Sequence, residues 1–199
     1  MNTIKIWNEK TSDNQLREIA AILDDGQTAI IPTDTMYALV CDAMNMKSIE
    51  RICRLKNINP DKTNLSILCS DIRMASDYAR IDNTGFKILK EQTPGPVTLL
   101  FRTVSSLPKA FKNRKVVGVR IPDNPIALKI VETLGRPLLT TTIQYEDEDY
   151  AVNPELIAET YDKTIDLMVE GEPGQIRQSA IIDCTGNEPV IVREASDGR

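Results

Sequence analysis

The chain has 199 residues, 41% of them hydrophobic and 27% charged, the make-up of a single water-soluble domain with a core of its own. Its formal charge of −5 argues against bulk attraction to nucleic acid, and the absence of histidine excludes Ser-His-Asp and Cys-His catalysis, histidine-ligated zinc and an imidazole base. No apolar run approaches the roughly 18 residues of a membrane span and residues 1–7 lack the apolar core of a signal peptide, so the expected location is cytoplasmic, away from membranes.

Thr11-Ser12-Asp13 supplies capping groups, Leu16, Ile19, Ala20 and Leu23 recur at helical spacing, and Gly26 ends that first helix. The apolar run Thr28–Ile31 reads as a strand that must stop at Pro32, which has no N–H to give a sheet ladder. Thr33-Asp34-Thr35 then forms a polar turn at the end of a buried strand, where open α/β sheets tend to bind ligands; an ordinary turn closed by its own side chains is the plainer alternative. Residues 47–56 read as a helix burying Ile49, Ile52 and Cys53. Lys56 ends the same stripe, as a cap or as a side chain reaching a ligand.

A polar loop over 57–64 holds Pro60 and Lys62, and residues 65–69 read as a strand. Helices over 71–78 and 83–91 precede Thr93-Pro94-Gly95-Pro96, a stiff turn, and a strand over 97–101. The basic run 109–115 reads as a solvated face or as a nucleic-acid contact. Arg120 lies within an apolar strand over 116–121, where a guanidinium requires an anionic partner. Asn124-Pro125 opens a helix through Ala127, Ile130, Val131 and Leu134 to Gly135, and the strand Leu138–Thr142 ends in three threonines. Residues 144–150 are acidic and read as a mobile loop. A helix from Asn153-Pro154, a strand over 165–169, a turn over 171–174 and strands over 179–183 and 190–193 complete a mixed α/β pattern. The cysteines Cys41, Cys53, Cys69 and Cys184 show no metal-binding spacing and read as small core residues. The sequon at Asn64 reads as chance.

Together, Pro32-Thr33-Asp34-Thr35-Met36-Tyr37-Ala38-Leu39, Lys56, Pro94-Gly95-Pro96-Val97-Thr98, Val119-Arg120-Ile121-Pro122, Thr140-Thr141-Thr142 and residues 179–183 follow the order of motifs in the YrdC/YciO superfamily. The chain resembles that superfamily from about residue 15 to residue 193, and is most similar to its YciO branch through residues 50–54, 82–84 and 93–95. The resemblance implies one YrdC-like domain over 1–199: a twisted open mixed sheet flanked by helices, with a concave basic groove and without the C-terminal domain of the long-form members. It also implies an activity. Threonine, bicarbonate and ATP, with Mg²⁺ bridging phosphates, give threonylcarbamoyl-AMP and pyrophosphate for tRNA modification, and some members bind double-stranded RNA.

By the same resemblance Thr33, Thr35, Thr140 and Ser179 would line the substrate, and Arg120 would meet the carboxylate of threonine or of its carbamate. Lys56, Lys62, Thr142 and Arg193 would hold the nucleotide, with Lys56 and Arg120 closest to the chemistry. Three positions depart from the synthase pattern: Ile58 replaces the arginine of Lys-x-Arg, Gln144 replaces the asparagine of Ser-x-Asn, and Ala180 stands where many members carry threonine. Arg54 or Lys62 is a possible substitute for the missing arginine. Three readings follow: a synthase-like enzyme, an RNA- or nucleotide-binding protein with little catalysis that uses the groove and the 109–115 run, and a hydrolase of carbamoylated or phosphorylated small molecules.

Overall fold

Short apolar strands buried on both faces need helices on both sides, and that requirement shapes the molecule. The computed structural model describes all residues except 7–10, 144–151, 173, 175–176 and 198–199. The strands are β1 (Asn2–Lys5), β2 (Thr28–Ile31), β3 (Ala38–Asp42), β4 (Leu65–Leu68), β5 (Ala79–Arg80), β6 (Val97–Thr103), β7 (Val116–Arg120), β8 (Leu138–Thr142), β9 (Leu167–Glu170), β10 (Arg177–Gln178), β11 (Ala180–Asp183), β12 (Val190–Arg193) and β13 (Ser196–Asp197). The helices are α1 (Asp13–Asp24), α2 (Met46–Leu55), α3 (Ile72–Tyr78), α4 (Asn83–Gln92), α5 (Lys109–Lys112), α6 (Pro125–Leu134) and α7 (Pro154–Tyr161). One mixed, open sheet of 11 strands runs β1-β9-β2-β3-β8-β4-β7-β6-β11-β12, with β5 paired to β6, and β10 and β13 form a separate ribbon.

Side chains alternate across the sheet, so each strand feeds two cores. Ile30, Leu39, Cys41, Ile67, Leu99, Val119 and Leu139 face one way, against Ile49 and Ile52 of α2, Ala75 of α3, Leu89 of α4 and Phe111 of α5. Ala29, Ile31, Ala38, Val40, Leu68 and Leu138 face the other way, against Leu16, Ile19 and Leu23 of α1 and Ile130 and Val131 of α6. This second core covers only part of its face. Further along, the same parity brings up Ser66, Thr98, Leu100, Arg120, Thr140 and Thr142, and they form an open cleft where a core would be.

Most of the expected elements form close to their expected bounds. α1 starts in a capping box, with Ser12 and Gln15 satisfying each other's backbone N–H, and α6 starts at Asn124 with Pro125 in its first turn. α2 runs one residue earlier than expected, because Asn45 caps it and Lys56 becomes the C-cap. β9 starts two residues later than its apolar run predicts; just before it, Asp166 bonds both neighbours through its backbone, to Thr28 and Asn2, and its carboxylate accepts from the Thr28 N–H and hydroxyl. Half of the basic run folds as α5, whose Ala110 and Phe111 enter the core while Lys109 and Lys112 stay exposed. The cysteines are free; Cys41, Cys53 and Cys69 are buried and Cys184 is half-buried, in keeping with core residues. No helix among the described residues is long and apolar enough to cross a membrane. The expected loop over 144–150 lies outside the described residues, as does the Gln144 departure.

Candidate functional site

The Pro32–Thr35 turn brings a carboxylate and two hydroxyls onto one guanidinium. Thr33 is fully buried, and its hydroxyl donates to the Met36 carbonyl at 2.7 Å while accepting the Thr35 N–H at 3.1 Å, so it closes the turn. Arg120 reaches across from the end of β7. Its Nη2 donates to Asp34 Oδ1 at 2.6 Å, to Thr35 Oγ1 at 2.7 Å and to Thr33 Oγ1 at 3.3 Å. The anionic partner that an arginine in this strand requires is thus the turn's own aspartate, with side-chain exposures of 8% for Arg120 and 6% for Asp34. Two polar atoms in this pair have no partner among the described residues: Arg120 Nε and Asp34 Oδ2. Buried polar groups are rarely left unpaired.

Gly171 and Gly174 pack against this turn. Tyr37, fully buried, donates its hydroxyl to the Gly171 carbonyl at 2.6 Å and accepts the Gly171 N–H at 3.3 Å. Gly174 then lies so close to the signature turn that a Cβ there would stand 2.2 Å from the Asp34 carbonyl carbon. Replacing Tyr37 with Phe leaves both backbone groups of Gly171 unsatisfied, and should lower the unfolding free energy by about 1–3 kcal/mol in urea titrations. Burial pushes the Tyr37 hydroxyl from its ordinary 10.0 up to about 12. The folded state therefore holds this proton after the unfolded state has released it, and this contribution to stability, full below pH 10, declines as the pH rises through 12. The phenylalanine variant lacks this part of the decline.

The cleft itself has a volume of about 370 Å³. Its floor is the open patch of sheet, where Gly118 lets the Ser66 and Thr98 side chains close in over it: a Cβ there would come within 2.3 Å of Ser66 Oγ and 2.9 Å of Thr98 Cγ2. Arg120, Thr140, Thr142, Ser179 and Arg193 all line it. Arg193 donates through Nε and Nη2 to the Ser179 carbonyl at 3.1 and 2.8 Å, and the Ser179 and Thr98 hydroxyls lie 3.3 Å apart. Burial lowers the pKa of the Arg193 guanidinium and the Arg120 charge lowers it further, so two cations converge on one cavity. Such a pair favours an anionic guest. Ile58, Leu100, Ile181 and Val192 supply apolar wall, the mixture common to small-molecule sites.

Not every expected residue meets here. Lys56 caps α2, half-buried, with its pKa lowered by burial, and Lys62 is exposed on the 57–64 loop; neither belongs to the described lining of the cleft. Thr33 and Thr35 approach it through Arg120. Ala180 packs against the opposite core, while Ile58 stands in the cleft wall. Ser66, Gly118, Tyr37 and Gly174 were not singled out in the sequence. Tyr37 and Gly174 carry no local signal, because their partners lie more than a hundred residues away.

The Sua5/YciO/YrdC family model, described as "Telomere recombination", matches residues 21–195. The YciO protein of Escherichia coli K12, described as uncharacterized, is 33% identical over 182 residues, which are 90% of this chain and 88% of that one. Its crystal structure superposes with a TM-score of 0.91, covering 100% of this chain and 98% of that one. The threonylcarbamoyl-AMP synthase of Bacillus subtilis is 26% identical over 92% of this chain, which spans 54% of that protein's length. The fold is also shared with Pyrococcus abyssi Sua5 in complex with L-threonine, with a TM-score of 0.89 over 98% of this chain and 58% of that one. With the model spanning most of the sequence and a relative 33% identical along nine-tenths of it, this chain belongs to the Sua5/YciO/YrdC family.

Proposed function

We infer that this protein is a nucleotidyltransferase-type enzyme of the threonylcarbamoyl-AMP synthase kind, joining threonine, bicarbonate and ATP into threonylcarbamoyl-AMP with release of pyrophosphate, in the service of tRNA modification. The observation that carries this reading is Arg120: a buried guanidinium with an unpartnered Nε, at a cleft rimmed by the hydroxyls of Thr140, Thr142 and Ser179. Arg120 would take the carboxylate of the amino acid, and Arg193 would face the phosphates across the cavity. The apolar wall at Leu100, Ile181 and Val192 suits the adenine ring. The reaction needs positioning and charge neutralisation more than a proton-transfer residue, so it runs without histidine. Among the described residues no three carboxylates or thiols gather to hold a metal ion, and Mg²⁺ enters as a companion of the ATP phosphates. Relatives at 25–27% identity named as synthases, and the threonine complex of P. abyssi Sua5, add support.

Purified protein given threonine, bicarbonate, ATP and Mg²⁺ should yield threonylcarbamoyl-AMP, detected by mass spectrometry alongside a known synthase. No product above background rejects the reading. A second reading, binding of nucleotide or RNA with little turnover, draws on Ile58 in the wall and on Lys56 and Lys62 outside the lining. Restoring the arginine tests which applies. Ile58→Arg adds a charge-assisted phosphate contact and should tighten ATP binding by about ten- to a hundredfold in calorimetry. Unchanged affinity would mean that phosphates do not lie against position 58.

A further inference from the structure

A second cavity, of about 360 Å³, is lined by Arg80, Arg102, Thr103, Arg114, Lys115 and Thr185. None of these four cations makes an ion pair among the described residues, in a chain whose net charge is −5. Arg102 Nε donates weakly to the Thr185 carbonyl at 3.4 Å, and Arg114 Nε donates to Asn64 Oδ1 at 3.3 Å. The carboxylate of Asp183 is turned to the N–H and hydroxyl of Thr185.

Two local rules are broken at this one place. Arg80 and Arg102 are direct cross-strand partners in the β5–β6 ladder, where like charges oppose pairing. Lys115 has a φ of 56°, a left-handed conformation that disfavours a side chain. Sequences that break local rules in a cluster do so where a function holds the residues in place. Arg102 also shares the open sheet face with Thr98, four residues or about 13 Å along β6, so this cavity lies beside the cleft without overlapping it. Asn64, which accepts from Arg114, lines the cleft.

We propose that this cavity is a binding site for linked phosphates, of the pyrophosphate or nucleoside-polyphosphate class. Four unneutralised cations around one hollow match several phosphate charges better than a single carboxylate, and guanidinium forks suit phosphate oxygens. The proposal does not rest on the synthase reading: pyrophosphate held in the cleft as a product would survive Arg80→Thr/Arg102→Thr, and pyrophosphate held here would not.

The test is calorimetric titration of inorganic pyrophosphate into the full chain at low salt, as wild type, as the double variant Arg80→Thr/Arg102→Thr, and as Lys163→Gln, which removes an exposed cation outside both cavities. The wild type should bind, the double variant should bind at least tenfold more weakly, and Lys163→Gln should match the wild type. Without ligand the double variant should melt about 1–3 °C higher, because the repulsive pair is gone. Absent binding, equal binding by the double variant, or an equal loss in Lys163→Gln overturns the proposal. So does a lower melting temperature, which removes its premise. A duplex RNA bound where pyrophosphate is not would overturn the small-anion assignment in favour of a backbone contact.

Discussion

Arg120→Met should lower the unfolding free energy by about 3–5 kcal/mol, because it leaves the Asp34 carboxylate buried and unpaired. The midpoint of urea denaturation should fall accordingly. Asp34→Leu, which strands the arginine instead, should be similarly damaging. Removing both together replaces an ion pair with apolar volume, and the double variant should recover much of the loss. A simple sum of the two single effects would show that the pair is not coupled, contrary to the 2.6 Å contact between them. The same guanidinium is the proposed carboxylate receptor. The double variant, stable enough to assay, should therefore bind no threonine even at millimolar concentration. That separates a lost ligand contact from a lost fold.

Gly174→Ala should have the next largest effect. Its Cβ would meet backbone, at 2.2 Å from the Asp34 carbonyl carbon and 2.5 Å from the carbonyl oxygens of Asp34 and Thr35. No rotamer relieves contacts of that kind, so the Gly174 backbone and the turn must move apart. Overpacking of this sort costs about 1–3 kcal/mol, but the functional effect should exceed the loss of stability. The shift falls on the turn that aims Asp34 and Thr35 at Arg120. Calorimetry with threonine should show binding weakened by at least tenfold while circular dichroism keeps the wild-type spectrum. Normal binding would mean that the backbone at Gly174 yields and the Asp34 turn is untouched.

The elements were legible where local chemistry decides them. Asn124-Pro125 opens α6 as its residue types require, and the apolar run Thr28–Ile31 stops at Pro32. β1 escaped notice because Asn2–Lys5 has almost no apolar content of its own; it is a strand through its parallel pairing with β9. Arg120 announced that it needed an anion, but the identity of that anion depends on a turn 86 positions away. Lys56 ended a helical stripe as a cap or as a side chain reaching a ligand, and Lys62 was assigned by resemblance; in the fold Lys56 is the C-cap of α2 and Lys62 is exposed. The cleft was hardest to read. Its floor depends on Gly118, which has no side chain to push Ser66 and Thr98 apart, three residues on three strands whose adjacency only the sheet order creates.

That sheet order carries a consequence for synthesis. β6 is made well before its neighbour β11, and Thr98 waits 81 residues for Ser179. A nascent chain on the ribosome exposes the backbone of β6 along one edge, ready to pair with any extended segment nearby, until residues 180–193 emerge. Those same residues bring Arg193 and a wall of the cleft. An incomplete chain therefore lacks both the partner of β6 and a wall of the ligand site, and binding is gained in the same late step that covers the β6 edge.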